Sequence, residues 1–267
     1  MFNVFATAKS GMNAYQEKLD YLSNDLVNST TTGYKSTDVG FKDLLTETLD
    51  RKGIPVNDKT AVNGTGVRLG MNYVNGKQGN LITTGNNTDL AIDGKGYFAA
   101  YQSDGSIAYT RDGSFKIDAQ GDLVDSSGNR VVINYEPGFA QGNPELKSED
   151  LSIDQEGGIS MMIDNQSVKI GTIPVFTAIG DKSFIQMGNN YYTPSDDAQV
   201  TLSTDYDVRQ GFLESSNVDS GETFTEVILS QRAFQLSSKA MTVADDLWGM
   251  INGMRSVSYT HLTLPTK

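Results

Sequence analysis

The residues best placed to do chemistry in this chain are oxygen donors. Asp118-Ala-Gln-Gly121-Asp122 and Asp125-Ser-Ser-Gly128-Asn129 each gather side-chain oxygens in a short loop, the ligand type that calcium prefers. A calcium loop of the known kind also needs carboxylates at alternating positions and a closing bidentate Glu. Neither loop has them, so both read as hairpin turns. Asp196-Asp197 and Asp245-Asp246 have the groups for general acid–base work. In a chain of net charge −12, adjacent acids more commonly serve solvation. Gly64-Thr-Gly66-Val-Arg-Leu-Gly70 has the spacing GxGxxxG, and no helix follows to aim its amides at a phosphate. It reads as a turn. There is no Cys, and the only His is His261, near the end of the chain. The body therefore lacks the groups for Ser-His-Asp, Cys-His and thiolate catalysis and for almost every zinc site. No catalytic, cofactor-binding or metal site is expected.

The same composition limits the partners. An acidic chain is a poor match for a nucleic-acid backbone or an anionic membrane surface. No run of 18 apolar residues occurs, and the start lacks a basic segment followed by an unbroken apolar run. Membrane insertion is not expected. The chain either stays in the cytoplasm or leaves it by a route without a cleaved signal. Freedom from Cys is compatible with export in an unfolded state.

With no chemistry to position, the informative elements are the two ends. Residues 1–29 carry apolar side chains in heptads: Phe5, Met12, Leu19 and Leu26, with Ala8, Tyr15 and Leu22 three positions later each time. That is an a/d seam, which needs a partner helix to bury it. Residues 222–254 carry Val227, Phe234, Met241 and Trp248 at the same period, flanked by Ala233, Ala240, Leu247 and Met254. The first helix is expected to stop near Ser29, before the Thr-rich run ending at Gly33. The second is expected to be capped by Asp219 or Ser220, with Glu222 at capping-box spacing, and to run to about Gly253.

Between the ends the pattern changes. Phe41, Leu44, Leu45 and Leu49 give one short helical face, broken at Gly53-Ile-Pro55, and residues 50–66 read as an extended linker. From about Met71 to Arg209 short apolar runs alternate with turn signals. The runs include Leu90–Ile92, Tyr97–Tyr101, Ile107–Tyr109, Ser114–Ile117, Arg130–Ile133, Ile159–Ile163, Val168–Ile170 and Ile173–Phe176. The turns include Asp93-Gly94, Asp104-Gly105, Asp112-Gly113 and Ser127-Gly128. The expected fold is α+β: N- and C-terminal helices forming a coiled-coil domain from residues 1–35 and 220–255, a connecting segment over 36–70, and a β-rich antiparallel domain over 71–219. Residues 256–267 abandon the heptad, resemble translated adapter read-through, and are read as a non-native tail. Periodicity alone leaves two partners open for the seams: each other, as a closed hairpin in one monomer, or neighbouring subunits.

Three blocks resemble the flagellar axial proteins, the rod and hook family of the bacterial basal body. The first is Ser10-Gly-Met-Asn-Ala-Tyr-Gln-Glu-Lys-Leu-Asp20 leading through Ser23–Asn28 to Ser-Thr-Thr-Thr32-Gly33-Tyr34-Lys35. It departs from the family's usual ending in carrying Ser-Thr-Thr-Thr for Val-Asn-Thr-Thr. The second is Thr84-Gly-Asn-Asn-Thr-Asp-Leu-Ala-Ile-Asp93-Gly94-Lys-Gly96-Tyr-Phe98, followed by Tyr109–Phe115 and Asp118–Val124. The third is Gly211-Phe-Leu-Glu-Ser-Ser-Asn217-Val-Asp219, leading into Ser230-Gln231-Arg232-Ala-Phe234 and Ser238–Ala240. The motif positions are thus Asn28, Thr32 to Lys35, Asp93, Gly94, Gly96, Asn217, Asp219, Gln231 and Arg232. Residues 137–208 carry no such resemblance.

Phe41–Leu45 and Gly64–Arg68 look most like the distal rod branch, with the hook and proximal rod branches as alternatives. The resemblance implies a non-enzymatic subunit, required for motility, whose terminal helices stack with neighbours into a hollow helical filament while the β domain forms the outer wall. It implies other rod and hook proteins as partners and departure through the flagellar type III export apparatus. About seven seam residues per helix, each contributing on the order of 1.5–3 kcal/mol when fully buried, exceed what an isolated helix can use. The helices are therefore expected to be partly disordered in the free monomer and to order on incorporation. Two other classes are weighed against this reading. One is a secreted adhesive or carbohydrate-binding β domain, which would show an aromatic patch. The other is a carboxylate-only hydrolase, which would need a cleft with two acids at catalytic separation.

Overall fold

The computed structural model describes residues 2–44, 46–48, 62–141, 145–163, 166–178, 184–195 and 198–259. Leu45, Leu49, the Gly53–Pro55 break, Asp196-Asp197 and His261 lie outside the described residues.

Helix α1 spans Phe2–Val27. It contains no Pro, and its end is turned by the Asn28 carbonyl accepting from Thr31 N (3.1 Å). Gly33 then takes φ +66°, where a Cβ would collide with the backbone of Arg111 and Asp112. Helix α2 spans Ser220–Tyr259, with Asp219 just before it and Glu222 in its first turn, where negative charge suits the helix dipole. It therefore runs past Gly253 into the segment read as a tail. Two features explain this. No Pro stands between Ser220 and Pro265, and Ser256-Val-Ser-Tyr259 lacks a helix-breaking residue, although it has lost the heptad.

Contacts divide the chain into two compact units. The first takes Met1–Asn24, Val39–Asn72 and Gly221–Lys267. The strand Thr37–Asp43, of which Val39–Asp43 belong to this unit, pairs with Val67–Val74, and Thr46–Thr48 pairs with Val62–Gly64. The short helix expected around Phe41 and Leu44 is therefore not formed. Thr37, Val39 and Phe41 are β-branched or aromatic residues at alternate positions, and that spacing suits a strand. The Phe41 ring packs against Tyr15 of α1 with centroids 5.0 Å apart, and Lys18 Nζ lies 5.7 Å from its centre. Gly66 (φ +133°) passes so close to Ser10 that a Cβ there would overlap the hydroxyl, which also accepts from Val67 N (3.3 Å).

The second unit takes Asp25–Asp38 and Tyr73–Ser220. Its largest sheet has seven strands in the order Phe184–Gly188, Tyr191–Pro194, Ile107–Thr110, Phe98–Tyr101, Arg130–Val131, Leu123–Val124 and Lys116–Ile117. A four-stranded sheet runs Asn134–Tyr135, Gln166–Thr172, Gly158–Ile163 and Leu151–Ile153. The paired strands are antiparallel, as the Asp/Gly turn spacing anticipates. The Asp118 and Asp125 loops are turns: Asp118 Oδ1 accepts from Gln120 N and Asp122 N, and Asp125 Oδ1 from Ser127 N and Asn129 N. Asp93-Gly94 differs, closing the strand Leu90–Gly94 instead of turning the chain. Ile173–Val175 are buried but lie outside the strands; the strand there is Phe176–Ala178. Phe98, Phe115, Leu90, Ile92, Ile159 and Ile170 anchor the core, with the Phe98 and Phe115 rings edge to face at 5.2 Å.

Candidate functional site

A buried ionic junction ties the sequence motifs of the second unit together. The strand Phe212–Glu214 pairs with Leu81–Thr83 and brings the Glu214 carboxylate to a position with no solvent exposure. Oε1 accepts from Lys35 Nζ at 2.5 Å and from Gly79 N at 2.7 Å; Oε2 accepts from Arg111 Nε at 2.5 Å. Arg111 also donates to three backbone carbonyls: Gly96, Ile92 (3.0 Å) and Gly94 (2.6 Å). Lys35 Nζ also donates to the Lys77 carbonyl at 2.7 Å. Buried charges are tolerated when they are paired and hydrogen-bonded, and all three of these are both. Burial pushes the Lys35 amine below the ordinary lysine range; Arg111 adds to the depression and Glu214 opposes it.

Neighbouring motif residues complete the junction. Gly33 N donates to the Glu214 carbonyl (2.7 Å), and Lys35 N donates to the Tyr192 hydroxyl (3.3 Å). Thr32 Oγ1 donates to Asp112 Oδ1 (3.0 Å), while the Thr32 carbonyl accepts from Asn190 Nδ2 (2.6 Å). Tyr34 OH donates to Asp25 Oδ1 at 2.8 Å, and Thr37 N donates to the same carboxylate. Burial raises the Asp25 carboxyl above its usual range against those two hydrogen bonds. The Tyr34 phenol is pushed up by burial and by Asp25. Asn217 acts as a bracket, accepting from Ser36 N (2.7 Å) and donating to the Asn75 and Lys77 carbonyls (2.9 Å each). Asp93 pairs with Arg209 at the surface (3.1 Å), and Asn28 accepts from the Thr31 hydroxyl (3.1 Å). Gln231 and Arg232 stand exposed on α2, in the first unit, with Arg232 donating to Gln235 (3.1 Å).

In the first unit, α1 and α2 meet at Gly11–Ser237 and at Lys18–Glu226. Gly11 faces Ser237 closely enough that a Cβ would sit 3.3 Å from its hydroxyl, and Lys18 Nζ lies 2.6 Å from Glu226. Numbers rise along one helix as they fall along the other, so the helices run antiparallel. Ala8 is buried, Met12, Tyr15, Leu19, Leu22 and Leu26 are half-buried, and Phe5 is exposed. On α2, Val227, Phe234, Met241 and Trp248 are half-buried, but they alternate with Thr223, Ser230, Ser237 and Ala244, not with the flanking set expected from sequence.

Ala240, Leu247 and Met254 are exposed, and they alternate with Leu229, Leu236, Val243 and Met250, whose exposures are 63, 69, 51 and 58 %. The helix therefore carries two heptad seams. Successive residues turn by about 100°, so a seam one position out of step faces a different direction.

Sequence reading singled out neither Arg111 nor Glu214, nor, Ala8 apart, the small residues where the helices meet. Both charged residues stand inside the quoted motifs. The available signal was a lone Glu in the apolar run Phe212-Leu213-Glu214 and a lone Arg inside Tyr109-Thr-Arg-Asp-Gly113. For the helix contact, the signal was Ala8, Gly11 and Ala14 on one side and Ser230 and Ser237 on the other.

Two long terminal helices and a β body locked by its own motifs define a structural subunit, consistent with the axial architecture. Comparison with known proteins makes this specific. Residues 91–166 match the flagellar hook protein FlgE/F/G D1 domain, and residues 209–254 match the flagellar basal body rod FlgEFG protein C-terminal domain. The first match extends past residue 137, where no resemblance had been found. The chain is 33 % identical to the flagellar basal-body rod protein FlgG of Borreliella burgdorferi, covering 96 % of this chain and 99 % of that protein. It is 32 % identical to FlgG of Agrobacterium fabrum, over 92 % and 97 %. The flagellar hook-basal body complex protein FlhP of Bacillus subtilis is 27 % identical, over 96 % and 100 %. The chain belongs to the flagellar basal-body rod family and is most like FlgG, a structural component of the basal body and not an enzyme. No helix among the described residues is long and apolar enough to cross a membrane.

Proposed function

We propose that this chain is the distal rod subunit and that it polymerises through its terminal helices into a hollow helical filament. The observation that carries this reading is the second seam of α2. Leu229, Leu236, Val243 and Met250 hold a strict heptad yet face solvent in the single chain. Each would contribute about 1.5–3 kcal/mol on full burial, and a regular stripe of this kind fits a neighbouring helix. Heterologous contacts between such stripes generate open helices when the rotation does not close.

The first seam, with Met12, Tyr15, Leu19 and Leu22 of α1 and Val227, Phe234, Met241 and Trp248 of α2, serves the coiled-coil pairing of the two helices. Its most buried positions are small: Ala8, Gly11, Ala14, Thr223, Ser230 and Ala244. Small side chains bury little apolar area, so the pair is weakly held alone and orders fully on incorporation. Other rod and hook proteins are the neighbours at the filament ends. The flagellar export apparatus is the route out, to which a chain without Cys is suited.

The test is a pair of substitutions in a bacterium lacking its own rod protein. Leu236→Asp is expected to abolish rod assembly and motility while leaving the monomer's circular dichroism and melting unchanged. Phe234→Asp is expected to abolish assembly and also to lower helicity. Normal motility with Leu236→Asp would overturn the reading.

A further inference from the structure

We propose that a basic cavity on the β body receives the acidic turn at residues 147–150 of a second copy of this chain. The inference rests on the polymerisation proposed above and adds to it a contact between neighbouring β bodies. The cavity has a volume of about 720 Å³ and lies within the second unit, where Lys35, Lys77, Lys95 and Arg111 line it against one carboxylate, Asp38. Lys35 and Arg111 are buried and committed to Glu214. Lys77 and Lys95 are exposed, and among the described residues neither ammonium has an ion-pair partner. Four cations against two carboxylates, Glu214 included, leave an excess of two positive charges in a chain whose net charge is −12.

The turn carries the complementary charge. Glu149 and Asp150 stand side by side where Asp150 N donates to the Lys147 carbonyl (3.2 Å). All four residues of the turn are exposed, and neither carboxylate has an ion-pair partner among the described residues. Other acids of the β body are committed: Asp104, Asp118, Asp125 and Asp154 accept within their own turns, and Asp93 pairs with Arg209. The turn is held in place by the buried Leu146 and by Asn87 Nδ2 donating to the Ser148 carbonyl (2.9 Å). Asn87 precedes the strand Leu90–Gly94 and Lys95 follows it, so turn and cavity stand at opposite ends of that strand. Its five residues, at about 3.3 Å each, keep the two apart within one chain. A site at one end and its complement at the other meet between copies, and such a head-to-tail contact repeats along an open assembly. Exposed ion pairs add little affinity, but they fix register and exclude wrong neighbours. Acidic chains repel one another, and here that repulsion is locally reversed.

The experiment is zero-length coupling of amines to carboxylates with a carbodiimide, applied to isolated basal bodies that contain the protein. Peptide mass spectrometry of the multimer bands is expected to find residue 77 or 95 joined to residue 149 or 150, and only in bands larger than one chain. Multimer bands in which those lysines carry no link to the turn would overturn this contact and leave polymerisation through the helices standing. Monomer bands alone would overturn both. In a second measurement, Lys77→Glu with Lys95→Glu is expected to abolish rod assembly, because four carboxylates would then face one another. The monomer's melting is expected to stay unchanged, since both side chains are exposed. Adding Glu149→Lys and Asp150→Lys to that variant restores opposite signs across the contact and is expected to restore assembly. Assembly untouched by the reversal, or not regained on the exchange, would overturn the contact.

Discussion

Lys35 Nζ lies 2.5 Å from Glu214 Oε1 across 179 positions of sequence, with the two side chains 2 % and 0 % exposed. Arg111 reaches the other oxygen of the same carboxylate at 2.5 Å. One anion therefore serves two cations in the interior, and it does so where residues following α1 meet those preceding α2. Its removal strands both cations. Glu214→Gln is expected to destabilise the β body by about 3–5 kcal/mol, the usual cost of unpairing a buried charge. Lys35→Met, which leaves a single cation on the carboxylate, is expected to cost less. Chemical denaturation of both variants checks the order, and equal losses would contradict it.

The buried phenols set an alkaline limit. Burial raises Tyr34, Tyr97, Tyr109, Tyr191 and Tyr192 above their unfolded value of 10.0. Above pH 10 the unfolded chain has released these protons while the folded chain keeps them, so stability falls as pH rises. A tyrosine as enclosed as Tyr192 removes up to about 1.4 kcal/mol per pH unit. Lys35 acts in the opposite sense. Its folded value lies below 10.5, so between the two values the unfolded chain binds more proton and stability rises with pH. Tyr135 and Tyr206 are raised by burial as well, so one lysine opposes seven tyrosines and the net slope above pH 10 is downward. Phenolate absorbance is expected to rise in two stages, exposed tyrosines first and the buried set together with loss of near-UV circular dichroism.

The helix contact depends on close approach. Gly11→Leu places a branched side chain where even a Cβ would lie 3.3 Å from Ser237 Oγ. It is expected to separate the helices and reduce far-UV helicity of the monomer, while amide exchange in the β body stays protected. Unchanged helicity would show that Gly11 and Ser237 do not govern the contact.

Much of this was legible from residue patterns. The strands Leu90–Gly94, Phe98–Tyr101 and Ile107–Thr110 were readable because apolar runs bounded by Asp-Gly pairs report local physics. Both helices were readable because seven-residue periods survive over four repeats. Glu214 was not, since an isolated charge in an apolar strand gains meaning only when Lys35 and Arg111 arrive from distant segments. The division of α2 into two seams was also hidden. Apolar residues surround that helix, and periodicity cannot say which of two adjacent heptads faces α1; small size at Gly11 and Ser237 decides it. Phe41 and Leu44 fit the spacing of a short helical face, whereas Val67–Val74 supplied Thr37–Asp43 with a strand partner from outside any local window.

Photo-crosslinking in isolated basal bodies tests the assembly surface most directly. A benzoylphenylalanine at position 236 is expected to yield a ladder of crosslinked multimers of this chain, because the proposed assembly places the exposed Leu236 against a neighbouring subunit. The same probe at position 234 is expected to yield mainly crosslinks within one chain. A ladder at 236 with little at 234 is the result the two-seam arrangement requires. Only monomer at position 236, in basal bodies shown to contain the protein, would contradict it.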